Sequence, residues 1–177
     1  GRFSSAGGMG FIDGAPFSER LARSVLVCDV VTNVVHRDRL VENGAAFRGT
    51  RASEEEASEF LASRDPAFRP VAIEPGPDGA LYIADWFNPI IQHGEVDFRD
   101  PRRDKTHGRI WRISAKGSPP VTPPALARMT PAEWVDQLSS PERWTRHQAK
   151  RLLFNAPAGE VIRAADARLA ARLAPSA

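Results

Sequence analysis

Ten of the twenty residues from 88 to 107 are ionisable: His93, Glu95, Asp97, Arg99, Asp100, Arg102, Arg103, Asp104, Lys105 and His107. Ile90, Ile91, Val96 and Phe98 are spaced among them as apolar anchors. This density suits an ordered, functional loop. Asp97, Asp100 and Asp104 offer hard oxygen ligands for Ca²⁺, although their spacing is not that of an EF-hand and the neighbouring arginines compete for the same carboxylates. The other use of these aspartates is salt-bridged scaffolding of the loop. His93 and His107 flank the segment, and if they converge, the pair supplies a general base near neutral pH or imidazole ligands for a metal; each can equally hold the loop through backbone hydrogen bonds. Arg109 and Arg112 follow on the next strand, where they can face an anionic cofactor or substrate or pair with the acidic loop.

The elements that must position these groups are β-strands. Arg69 to Glu74 alternates, Gly76-Pro77-Asp78-Gly79 suits a tight turn, and Ala80 to Ala84 resumes as an apolar strand that ends at Asp85. Ser24-Val25-Leu26-Val27-Cys28-Asp29 followed by Asn33-Val34-Val35-His36-Arg37 echoes Ala80 to Asp85 followed, after the charged insertion, by Gly108-Arg109-Ile110-Trp111-Arg112. Two copies of a strand pair imply parts of two β-propeller blades. Asp29 and Asp85 recur at strand ends, as an aspartate that caps a turn does. His36 on a strand and His147 on a helix read as structural. Residues 1–20 read as Gly-rich loop with a short strand at Gly8 to Ile12, and Ser53 to Ser63 predicts a short capped helix, with a loop as the alternative.

Lys116 to Pro124 carries four of the fifteen prolines and reads as an extended linker. Beyond it, Thr130-Pro131-Ala132-Glu133 and Ser140-Pro141-Glu142 are helix starts, and Glu160 to Leu173 is a third helix. Leu138-Ser139-Ser140-Pro141 leading into Arg146-His147-Gln148-Ala149 resembles a HEAT-type repeat. The expected fold is mainly β with α: terminal blades of a β-propeller over residues 1–115, a Pro-rich linker over 116–128, and the start of a HEAT-like α-solenoid over 129–177. Because a propeller needs ~4 to 8 blades, the 177 residues read as a fragment of a longer protein.

Composition narrows the chemistry. Lys plus Arg (24) nearly balances Asp plus Glu (22), for a net charge of +2, so no global field argues for a nucleic-acid partner. The single cysteine, Cys28, excludes an internal disulfide, a multi-cysteine zinc site and a haem attachment motif within these residues. No apolar run reaches the ~18 residues of a membrane-spanning helix. Gly-x-Gly-x-x-Gly, Walker, His-Glu-x-x-His and Gly-x-Ser-x-Gly motifs do not occur.

The run from Phe68-Arg69-Pro70-Val71 through Gly76 to Trp86, Asn88-Pro89-Ile90-Ile91, His93-Gly94, Asp97 to Asp104, and Thr106 to Arg112 resembles a family of large exported bacterial proteins called membrane-bound dehydrogenases. In that family a propeller similar to the quinoprotein glucose and sorbosone dehydrogenases is followed by HEAT repeats and commonly by a c-type haem domain. The resemblance implies an exported, periplasmic or membrane-associated oxidation of a sugar or related alcohol. Electrons would pass from pyrroloquinoline quinone (PQQ), with Ca²⁺, to a haem c in a domain outside this chain. It further implies His93 or His107 as base, Arg109 and Arg112 as partners of the cofactor carboxylates, Asp97, Asp100 and Asp104 as metal ligands, and the remaining blades and the HEAT and haem domains as partners. The alternatives are a non-enzymatic propeller that binds a glycan or a protein, with Trp86 and Phe87 available for sugar stacking, and a calcium-dependent lactonase-like propeller.

Overall fold

The computed structural model describes residues 4–13, 17, 21–91 and 94–173. Two antiparallel sheets are followed by three helices, so the fold is mixed β with α. The first sheet takes strands β1 (Ala6–Ile12), β2 (Ser24–Asp29), β3 (Val34–Asn43) and β4 (Ala46–Thr50) in that order, with the two-residue β5 (Leu61–Ala62) also paired to β3. The second sheet is β6 (Pro70–Pro75), β7 (Leu81–Asp85) and β8 (Arg109–Ile113).

The two sheets share one register plan. Asp29 pairs with Val34 and Leu26 with Arg37, while Asp85 pairs with Arg109 and Tyr82 with Arg112, so laying Asp29 over Asp85 superposes the pairings. Both first strands also slip register just after their first pair, between Ala6 and Met9 in β1 and between Pro70 and Ala72 in β6. Between the sheets lies the core, where Leu26, Cys28 and Val35 from the first sheet meet Ile73, Leu81 and Ile83 from the second. In the shared register these two sets come from opposite faces of the repeated unit, so the sheets stack like plates rather than face to face as mirror images. Cys28 is one of the buried side chains, and burial pushes its thiol up to about 11, which suits a packing role.

Close approach of β1 to β6 depends on missing side chains. A Cβ on Gly8 would lie 2.3 Å from the Val71 carbonyl oxygen and 2.7 Å from the Ala72 Cα. One on Gly10 would lie 2.6 Å from Ile73 Cγ2. The β6–β7 turn closes as the sequence predicts, with Gly79 at φ +76° and the Gly76 N–H donating to the Ala80 carbonyl at 2.7 Å. Ser53–Ser63 does not form the predicted helix. Ser53–Glu55 makes a single 3₁₀ turn, and Leu61 then joins β5 and packs on the core. Glu55 is drawn instead to the buried Arg37 guanidinium, whose Nε donates to Glu55 Oε2 at 2.9 Å and whose Nη1 donates to Ser24 Oγ at 3.1 Å. Satisfying that buried cation outweighs the helix propensity of an eleven-residue segment.

Helix α1 (Pro131–Gln137) opens on the predicted capping box of Thr130 and Glu133. It packs against both α2 (Arg143–Asn155) and α3 (Ala158–Leu173), and Arg168 in α3 pairs with Asp136 in α1 at 2.9 Å. The helices are tied to the sheets through α2, where Arg143 lies over the Phe11 ring and Arg146 pairs with Asp13.

Gly8→Val tests the inter-sheet approach, because the atoms it meets are backbone and cannot rotate away. It should cost about 2 to 3 kcal/mol in urea unfolding; a loss under about 0.5 kcal/mol would mean the strands do not lie this close.

Candidate functional site

The charged insertion leaves β7 at Asp85 and rejoins the sheet at β8, so the end of β7 organises it. Asp85 is buried. Its Oδ1 accepts from the Arg69 N–H at 2.8 Å and the Phe87 N–H at 3.0 Å, and its Oδ2 accepts from Arg109 Nε at 2.7 Å and Trp111 Nε1 at 2.9 Å. Burial pushes this carboxyl up, but the four donors outweigh it and hold the group below the ordinary aspartate range. Phe87 sits at φ +54°, a left-handed conformation that costs free energy in a bulky residue and that this carboxylate helps to hold. Asp29 does the same work in the first sheet, accepting from the Ser4 N–H at 2.8 Å and the Val31 N–H at 2.9 Å.

Arg109 is divided between Asp85 and Asp65, whose Oδ2 it reaches at 2.7 Å. Burial works against its charge, yet the two carboxylates raise its pKa overall. The guanidinium lies 4.2 Å from the Phe87 ring centroid and 5.2 Å from that of Trp111. Its remaining terminal nitrogen, Nη2, is buried without a hydrogen-bond partner among the described residues. Arg112 projects from the other face of β8, where it pairs with Asp78 at 2.7 Å near the β6–β7 turn. Strand alternation therefore separates the two arginines. With both engaged on opposite faces, they do not fit a joint clamp for the carboxylates of a quinone cofactor.

The three insertion aspartates each close their own turn. Asp97 Oδ1 accepts from the Arg99 N–H at 2.7 Å, Asp100 Oδ1 from the Arg102 N–H at 2.9 Å, and Asp104 Oδ1 from the Thr106 N–H at 2.9 Å. Asp100 is further gripped by the Arg102 guanidinium, which together with the Arg102 N–H lowers its pKa to about 2. Among the described residues no three carboxylate, histidine or cysteine side chains come together as a metal-binding group, so these aspartates do not fit a shared Ca²⁺ site. Arg103 turns inward and donates to the carbonyls of Ile90 (3.2 Å), Val96 (2.9 Å) and Asp97 (3.1 Å), holding the loop by its backbone.

His107 is the sequence-predicted base that the structure places in a chemical setting; His93 lies outside the described residues. The Asp104 carboxylate lies 2.8 Å from His107 Nδ1, and its Oδ1 accepts the His107 N–H at 2.8 Å. These contacts, after the Thr106 N–H, lower the Asp104 pKa to about 2. The imidazole is largely exposed and meets the Phe87 ring edge-on at 6.1 Å. A carboxylate on Nδ1 fixes the tautomer and leaves Nε2 as the free basic nitrogen.

Sequence reasoning missed Arg69. Its Nη1 donates to the Val30 carbonyl at 2.7 Å, just after β2 of the first sheet, and its Nε to the Asn88 carbonyl at 2.8 Å, just after β7 of the second. Asn88 is likewise buried and reaches the Asp104 carbonyl at 3.0 Å, which ties the dyad's backbone to the end of β7. No local pattern announces either role, since both depend on residues that arrive from distant parts of the chain.

Two outcomes follow. Asp85→Ala should cost about 3 kcal/mol or more, measured by denaturant unfolding, because it strands buried donors. Asp100 and Asp104 have depressed folded pKa values, so their contribution is present above the unfolded aspartate value and lost as pH falls through the folded one. The melting temperature should therefore drop between about pH 4 and pH 2, and Asp104→Asn should flatten part of that drop; an unchanged acid limb would contradict the turn-capping role.

A family described as a domain of unknown function (DUF7133) has a model that matches residues 1–117, more than half of the chain, and the chain belongs to that family. Neither the curated proteins nor the solved structures include a match.

Proposed function

We propose that this member of the DUF7133 family supplies two neighbouring blades of a β-propeller, followed by a short HEAT-like helical array, and works as a non-catalytic binding and assembly module. One observation carries this reading. Val35 in the first sheet is fully buried against the second sheet, while its counterpart in the shared register, Ile110 in the second, is 75% exposed. The mismatch recurs at the other end, where Met9 of the first sheet is 69% exposed and its counterpart Ile73 is 1% exposed. Each sheet thus buries the face turned toward the other, while the second leaves its Ile110 face bare and the first leaves Met9 bare beside the buried Val27 and His36, positions that a further sheet in the same stack would cover. Apolar side chains left uncovered at both ends of the stack favour association with other polypeptide.

The cationic groups support the same conclusion. Arg69, Arg103, Arg109 and Arg112 are spent on backbone carbonyls and carboxylates that hold the sheets and the insertion together. Exposed apolar residues on the helices, Phe154, Ile162 and Leu169, leave a further surface on which a helical array can continue.

The Asp104–His107 dyad favours a second reading, an exported or periplasmic sugar or alcohol dehydrogenase using PQQ and a haem c partner domain, in which His107 Nε2 takes the substrate proton. In that reading the cofactor carries the redox chemistry and must be held by groups other than an Arg109–Arg112 clamp.

Ile110→Lys separates covered from bare. In the protein isolated from its natural source it should lower stability by about 3 kcal/mol, because a lysine is forced under a neighbouring sheet, while the 177-residue chain alone should change by under about 0.5 kcal/mol. No change in the natural protein would defeat the stacking reading. Sugar-driven dye reduction with added quinone and Ca²⁺, abolished by His107→Gln, would establish the dehydrogenase instead.

A further inference from the structure

The second sheet stops one strand early. On the outward edge of β3 the first sheet carries β4, paired along 39–43, and β5, paired at Val34 and Val35. Val34 and Val35 correspond to Arg109 and Ile110 in the shared register, yet among the described residues no strand pairs with the outward edge of β8. That edge presents backbone N–H and C=O groups ready for a further strand.

Beside the bare edge run two adjoining apolar hollows. The larger, about 520 Å³, lies between Phe17, Leu21, Phe60 and Ile113. A smaller one of about 170 Å³ lies between Leu61, Phe68 and Trp111, and Leu61 and Ile113 line both. Trp111 is 42% exposed at this trough, with its ring edge-on to Phe68 at 6.4 Å.

We infer that the outward edge of β8 and the adjoining trough form an acceptor site for one extended polypeptide segment with apolar side chains at alternate positions. This rests on reading the two sheets as repeats of one unit. Only an extended segment meets both demands, since it offers backbone groups to β8 along one edge while every second side chain enters the trough. A small apolar molecule or the rounded face of a folded partner would fill the hollows and leave the strand edge unpaired. The chain itself shows the chemistry of a fitting occupant. Transferred from β3 to β8 in the same register, the sequence of residues 58–63 (Ser-Glu-Phe-Leu-Ala-Ser) sets its leucine opposite Ile110, its phenylalanine opposite Trp111 at the trough, and its glutamate opposite Arg112. Opposite charges and apolar pairs across strands both stabilise such an addition.

The test adds the blocked hexapeptide Ser-Glu-Phe-Leu-Ala-Ser at millimolar concentration to the full 177-residue chain and follows amide hydrogen exchange over residues 109–113. Two further peptides carry N-methyl groups at alternate positions, one on glutamate and leucine, the other on phenylalanine and alanine. Strand addition predicts slowed exchange in β8 with the parent peptide. It also predicts that one N-methylated peptide binds about tenfold or more weakly while the other binds as the parent does, because only one set of N–H groups faces β8. Equal binding by all three would show a side-chain trough without strand pairing and overturn the inference. So would unaltered β8 exchange, or protection that rises with protein concentration and that the peptide does not displace, which would make the occupant a second copy of the chain. None of these readouts depends on whether the Ile110 face is covered, so this inference and the stacking proposal fail separately.

Discussion

The Asp85 carboxylate joins four things that the chain must bring together: the entry to β6 through the Arg69 N–H, the left-handed turn through the Phe87 N–H, and two side chains of β8 through Arg109 and Trp111. A charged group this deeply buried is tolerated only when its lone pairs are filled, and here each oxygen has two donors. Because β8 arrives only after the long insertion, Arg109 and Trp111 act as the pins that fix where the returning chain docks. The geometry of the insertion depends on that docking, since Asn88 and Arg103 hold its carbonyls relative to the end of β7.

The same device in the first sheet explains why the two sheets share a register. Asp29 and Asp85 each bind the amide two residues ahead and an amide at the entry of the first strand. Arg69 then links the units, reaching carbonyls after β2 and after β7 from one guanidinium. With the sheets fixed in this way, the glycines of β1 let the two first strands approach within contact of backbone, and the apolar faces close over the core. Among the described residues, this leaves at the surface the exposed Asp104–His107 pair, a sheet face bare at Ile110 and an unpaired strand edge on β8. The most ionisable part of the sequence is thus largely invested in holding itself together.

Local signals in the sequence identify the elements. Gly76 to Gly79 marks the hairpin turn, Thr130 to Glu133 marks a helix start, and the strand echo around Asp29 and Asp85 anticipates a repeat that the pairing registers then match. Where the fold is decided by partners distant in sequence, that legibility ends. Glu55 carries a helix-like context and is taken by Arg37, eighteen residues earlier, and Leu61 is taken by the core. For the candidate site the sequence shows which residues are ionisable and close together, but not how their charges are shared. Arg109 and Arg112 look like a pair until strand alternation separates them, and the three aspartates look like ligands until each folds back on the amide two residues ahead.

The most direct measurement is a carbon-13 NMR titration of the Asp85 carboxyl in the intact chain. A carboxylate held by two backbone amides, an indole and a guanidinium should titrate below the ordinary aspartate range. A carboxyl that takes up its proton at or above the ordinary aspartate value while the chain stays folded would show that the four donors do not converge on it, and would contradict the account of how the two sheets and the insertion are held.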